Sequence, residues 1–289
     1  VRRRIPRSAI GPIFLASLLV LLIVGYRPPE RPDIAPPSAV PGFLAFEWSP
    51  SLGKPRPTPA TVAGPAVARG YLQMTTAEQL YAPDDTALLA DEVAQALAYT
   101  SERFAGQPLD TITVQVEAQD ACNLNGIAYT DQRLVQVFTC ADLPRARTVN
   151  ILAHEFVHQL AHDYYGNDHL QADLILAEGL ATWGAGRYWL GGHPDFAAFV
   201  RHHYPSEDVL LPLATSYVGR PTSDMNKLYY EWASFVEYLL QTYGRNKFDR
   251  VYVSGSNDPG SADYAGVYGN DLPTLEQEWL ASLELAPLQ

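Results

Sequence analysis

The chain is short of basic residues. Twenty lysines and arginines face 32 aspartates and glutamates, giving a formal net charge of −12. Four of the arginines fall in residues 1–26, which hold no acid, so the rest carries only 16 basic residues against the same 32 acids. A surface that acidic repels a phosphate backbone, which argues against nucleic acid as a partner. Cysteine is scarce too: Cys122 and Cys140 are the two present. They flank an expected hairpin, so a bond between them is geometrically open, with two free buried thiols as the alternative. There is no internal repeat, and the composition excludes collagen, coiled coil and wholesale disorder. With 47% apolar residues, 289 residues suit one globular domain of moderate size plus extra segments.

Those extra segments come first. Arg2, Arg3, Arg4 and Arg7 precede an uncharged run from Ser8 to Tyr26. As a helix the run would reach roughly 28 Å, enough to cross a hydrocarbon core. It has no polar face, unlike a buried core helix. The arginines place residues 1–8 in the cytoplasm as a basic tail, residues 9–26 as a transmembrane signal anchor, and the remainder outside. A cleaved signal peptide is the competing reading, but Val24-Gly25-Tyr26-Arg27 is a poor cleavage site. Residues 27–69 are rich in proline, from Pro28-Pro29 to Pro65, and read as an extended spacer.

The folded part is expected over residues 70–289. Helical spacing of Leu88, Leu89, Val93, Ala96, Leu97 and Phe104 predicts a helix over 86–104. Period-two alternation predicts a strand over 111–116. Two further strands, 127–129 and 134–139, are joined by a turn at 130–133. After Pro144 the pattern is helical, with expected helices over 148–165, 171–188, 228–243 and 272–283. A small sheet followed by a helical half is an α+β arrangement.

One helix carries chemistry. His154-Glu155-Phe156-Val157-His158 has the spacing His-Glu-x-x-His. Positions i and i+4 share one helix face, so two imidazoles can hold one ion from adjacent turns. Glu155, one step round, can reach water at that ion without filling a coordination place, which suits a general base. Chance gives roughly 0.01 such matches in a chain of this length and composition. A catalytic zinc takes three protein ligands and keeps one position open. Glu178, an acid inside the apolar stretch Leu176-Ala177-Glu178-Gly179-Leu180, is the expected third ligand. His162 continues the row of histidines, but three side chains in a row span about 12 Å and do not converge. His169, His193, His202 and His203 lack ligand spacing and read as structural or exposed.

His154-Glu155-x-x-His158 with Glu178 in a Glu-Gly-Leu-Ala setting resembles the gluzincin metallopeptidases, and more narrowly the peptidase MA-like domains related to thermolysin and the M1 aminopeptidases. Two downstream stretches match as well. Tyr229-Tyr230-Glu231-Trp232 resembles the helix bearing the catalytic tyrosine, and Val267-Tyr268-Gly269-Asn270-Asp271-Leu272 leads into a helix like the closing one. The metzincin pattern is excluded, because it needs glycine at Ala161 and histidine at Tyr164. The resemblance implies a Zn2+ cofactor, a peptide or protein substrate, and a tyrosine that steadies the oxyanion. Tyr230 matches that tyrosine best, with Tyr229 as the alternative. It implies a small mixed or antiparallel sheet followed by a mainly helical zincin half. It also implies that the hairpin edge pairs with an extended peptide.

Two departures stand out. No Gly-x-Met-Glu-Asn segment is present, so aminopeptidase activity is not implied. Thr182 stands four residues after Glu178 where an acid would support the metal ligands. The expected function is a membrane-anchored, extracytoplasmic zinc metallopeptidase. A tethered peptide-binding domain on a peptidase scaffold and a zinc hydrolase of another bond are the alternatives.

Overall fold

The computed structural model describes residues 66–285, apart from 79, 120, 121 and 123. The expected cytoplasmic tail, anchor and most of the proline-rich spacer lie outside these residues. Among the described residues no helix is long and apolar enough to cross a membrane.

Among the described residues five strands form one mixed sheet in the order β1-β2-β3-β5-β4. They are β1 (Val67–Arg69), β2 (Leu72–Thr76), β3 (Ile112–Ala118), β4 (Asn125–Tyr129) and β5 (Leu134–Thr139). β2, β3 and β5 run parallel, with Met74 opposite Val114 and Val114 opposite Val135. β1 and β4 close the two edges antiparallel. Alternation decides which face is buried. Leu72, Met74, Ile112, Val114 and Val116 lie inward with at most 2% exposure, and the residues between them are half-buried or exposed. The expected strands over 111–116, 127–129 and 134–139 are present. β1 and β2 are additional, and β1 occupies the last three residues assigned to the spacer.

The rest of the described chain is mainly helical. α1 (Pro83–Phe104) opens with Pro83 in its first turn, where the missing N–H costs nothing, and ends on Ala105 in the left-handed region. Leu88, expected on its apolar face, is instead 50% exposed. α2 (Arg145–Tyr165) starts after Pro144 and is buried continuously from Ile151 to Ala161, so it runs through the core rather than over it. α3 (Leu174–Ala185) is shorter than the expected 171–188, because 3-10 turns at Gly166–Gln171 and Gly186–Tyr188 take up its ends. α4 (Phe196–His203), α5 (Thr222–Tyr243), α6 (Arg245–Tyr252), α7 (Tyr264–Tyr268) and α8 (Leu272–Ser282) complete the order.

The start of α3 is pinned by one carboxylate. Asp173 accepts from Ile175 N at 2.9 Å as a helix cap, and also from Gly260 N (3.1 Å), Ala262 N (3.0 Å) and the Tyr264 phenol (3.0 Å). Two glycines let α3 approach its neighbours closely. A Cβ on Gly179 would stand 2.6 Å from Trp232 O of α5, and one on Gly184 would stand 2.7 Å from Val157 Cγ2 of α2. α3 is therefore packed tightly between α2 and α5.

A disulfide joins Cys122 to Cys140. It ties the approach to β4 to the end of β5, the hairpin that the sequence places between these cysteines.

Candidate metal centre

The α-helical repeat of α2 sets His154 and His158 one turn apart, and both are buried. Their Nε2 atoms lie 3.1 Å from each other. From α3, Glu178 Oε2 reaches 3.1 Å from His154 Nε2 and 3.6 Å from His158 Nε2. Donors around a four-coordinate zinc with bonds of about 2.0–2.1 Å are separated by about 3.3 Å. The three donor atoms already stand at that spacing, and the chemistry fits a cation: two imidazoles and a carboxylate, with no lysine or arginine among them. The donor set is the one expected from the sequence, His-Glu-x-x-His followed by a distant glutamate.

Glu178 is fully buried. Burial alone would raise its pKa. The charge of His158 and the hydrogen bonds from His154 and His158 outweigh this and hold it at about 2. The carboxylate is therefore ionised and ready to bind metal.

The other nitrogen of His154 has a partner as well. Thr182 Oγ1 lies 3.3 Å from His154 Nδ1. Thr182 is one turn beyond Glu178 on α3, so one helix supplies both a ligand and the group that orients another ligand. The expected acid is absent, and the hydroxyl occupies its place. The Trp189 ring flanks His154 with centroids 5.2 Å apart, and its Nε1 donates to Asn150 O at 3.0 Å.

Glu155 is completely buried, and neither of its oxygens closes a well-formed hydrogen bond. Burial raises its pKa. His158 lowers it, Glu178 raises it, and the Ala128 backbone N–H lowers it, and the balance is about 7. A carboxyl poised there can take up and release a proton near neutrality. Edge strand β4 crosses directly over it. A Cβ on Gly126 would collide with Ile151 Cγ2 and stand 2.8 Å from Glu155 Oε1, so only glycine permits this approach.

The two candidate tyrosines diverge. Tyr230 donates its phenol to Trp189 O at 3.2 Å and stacks on Phe199 with centroids 3.9 Å apart. Tyr229 is fully buried, and its ring meets His154 edge-on at 5.7 Å. Burial pushes the Tyr229 phenol well above its usual pKa, helped by the Glu178 carboxylate, by Tyr217 and Glu155, and by a hydrogen bond to Glu178. Tyr229, not the preferred Tyr230, is the phenol that the structure brings to the metal ligands.

His162 is not among the converging donors, and its ring stacks on His169 at 6.1 Å. His169 is buried and its Nδ1 lies 2.8 Å from the Tyr252 hydroxyl, a packing role. Trp189 and the orienting role of Thr182 were not evident from sequence. Trp189 sits in no motif, and Thr182 reads as a departure until its hydroxyl is placed.

No protein-family model and no curated protein matches the chain. Among solved structures it is similar to a mutant of an M1 zinc metallopeptidase from Deinococcus radiodurans, at 19% identity and a TM-score of 0.43. The match covers 78% of this chain and 52% of that one, so this chain spans about half the length of the structure it resembles.

Proposed function

We propose that this chain is a zinc metallopeptidase of the gluzincin type that hydrolyses peptide bonds. The observation that carries the reading is the convergence of His154, His158 and Glu178 at ligand spacing, with the Glu155 carboxylate fully buried beside them. Zinc, when bound, supplies Lewis acidity towards a carbonyl oxygen and lowers the pKa of water to about 7. Glu155 accepts the proton of the attacking water and passes it to the leaving nitrogen. Tyr229 donates to the oxygen on which negative charge develops, and its raised pKa keeps the phenol protonated for that purpose. Thr182 holds the His154 imidazole in place through Nδ1. β4, at the edge of the described sheet, offers its outer backbone groups to an extended peptide.

The arginines ahead of the apolar run support an N-terminal membrane anchor with the catalytic part outside the cytoplasm. The Cys122–Cys140 bond suits such an oxidising compartment. Alkaline extraction of membranes from cells making the full chain tests the anchor. Release into the soluble fraction would count against it.

The catalytic reading is tested by digesting casein and a peptide library with the full chain and with Glu155→Gln. Both proteins should hold zinc. The wild type should cleave, and cleavage should stop on chelation. The variant should lose about 100- to 10,000-fold in rate. Undiminished turnover by the variant would remove Glu155 from the role of base.

A further inference from the structure

Sequence spacing gives His193, His202 and His203 no metal-binding role. The structure nevertheless gathers them. Their ligand nitrogens lie within 4.8 Å of one another, as do the donor atoms of His154, His158 and Glu178. The rings stand 5.0 Å (His193–His202), 5.3 Å (His193–His203) and 4.8 Å (His202–His203) apart, centroid to centroid.

Local structure explains the meeting. Gly191 and Gly192 both adopt left-handed φ values, 58° and 94°, which few other residues tolerate. Their turn brings His193 back over α4, and His193 N donates to Leu190 O at 3.0 Å. His202 and His203 are the last two residues of α4, whose start is capped by Asp195 accepting from Ala198 N at 2.6 Å. The C-terminal end of a helix carries partial negative charge, which favours a cation there. Phe199 forms the floor, with its ring 5.3 Å from His193 and 4.3 Å from His203.

We infer that His193, His202 and His203 form a second metal site, which takes a divalent transition ion such as zinc through three imidazoles and leaves its remaining coordination open to water. The donor type is right, because imidazole suits zinc, copper and nickel and disfavours magnesium and calcium. The donor separation needs to tighten only to about 3.3 Å for a tetrahedral ion. His202 and His203 are exposed and His193 is half-buried, so the rings have room to turn.

The ion would fasten the 191–195 loop to the end of α4. That wall is in contact with the catalytic side. Phe199 stacks on Tyr230, Tyr230 packs against Trp189 at 5.7 Å, and Trp189 flanks His154. The second site is thus a clasp on the outside of the packing that supports the first.

The test is metal counting on the full chain. Protein is stripped with chelator, reloaded with zinc and passed through zinc-free gel filtration. Wild type should retain two zinc ions per chain. The His193→Ala/His202→Ala/His203→Ala variant should retain one, and should still digest peptide. The His154→Ala/His158→Ala variant should also retain one, whether or not the chain proves to be a peptidase. As many ions retained by the triple variant as by wild type, or none by the His154→Ala/His158→Ala variant, would overturn the second site. Should the triple variant fold poorly by circular dichroism, copper loaded into the His154→Ala/His158→Ala variant decides instead. One bound ion showing imidazole nitrogen hyperfine coupling supports the site, and no retained ion rejects it.

Discussion

Thr182 Oγ1 and His154 Nδ1 lie 3.3 Å apart, on the opposite side of the imidazole from the nitrogen that meets Glu178 and His158. With Nε2 given to metal, Nδ1 carries the proton and donates it to the hydroxyl, which fixes both tautomer and ring angle. Thr182→Val keeps the shape and removes the acceptor. Metal affinity should fall by about 10- to 100-fold, measured by competition with a chromogenic chelator, and Thr182→Ser should restore most of it. Unchanged affinity in the valine variant would show that the hydroxyl does not orient the ring.

The adjacent tyrosines give a sharp contrast. Tyr229 contacts His154 and Glu178, whereas Tyr230 is engaged with Trp189 O and Phe199. Tyr229→Phe should lower kcat by about 100- to 1,000-fold with little change in bound zinc. Tyr230→Phe should leave kcat within a few-fold. The reverse order would return the oxyanion role to Tyr230.

Gly126 sets the distance between β4 and Glu155. Gly126→Ala places a methyl against Ile151 and Glu155 Oε1. The strand must move away or the carboxylate must turn. Thermal unfolding should show a loss of about 1–3 kcal/mol, and peptide turnover should drop more steeply than zinc content. A variant as stable and active as wild type would mean that β4 yields freely.

Glu231 links stability to pH. Burial pushes its carboxyl up to about 8. The Leu211 N–H and Lys227 oppose this, and Glu276 and Asp224 add to it. The folded form favours the protonated acid, so this contribution is fully present below the unfolded value near 4.5 and is lost as pH rises through about 8. Glu231→Gln keeps an oxygen for Leu211 N, which lies 3.2 Å from Oε1, without the charge. The variant should melt higher than wild type at pH 9, by about 2–4 kcal/mol, and close to it at pH 4.5. Parallel melting curves across that range would contradict the buried, protonated carboxyl.

What could be read from sequence was whatever a local repeat fixes. His154 and His158 share a face because any helix puts i and i+4 together. β3, β4 and β5 announced themselves by alternation. Glu178 could be chosen because an acid in an apolar stretch needs a partner. β2 has only five residues and follows a proline-rich segment, so its alternation was too brief to separate from it. α6 begins Arg-Asn-Lys and shows little apolar pattern of its own. Tyr229 and Tyr230 point about 100° apart on one helix, and the roll of α5 against α3 decides which faces the ligands. The meeting of His193 with His202 and His203 depends on a glycine turn and the docking of α4, which no ligand spacing records.

The two glycines on opposite sides of α3 bear on metal choice. Gly179 rests against the α5 backbone and Gly184 against Val157 of α2, so this segment can move towards neither neighbour. Glu178 rides on it, so an ion with longer bonds, such as cadmium, would have to be met by the side chains of Glu178, His154 and His158 swinging, because α3 has no room to shift.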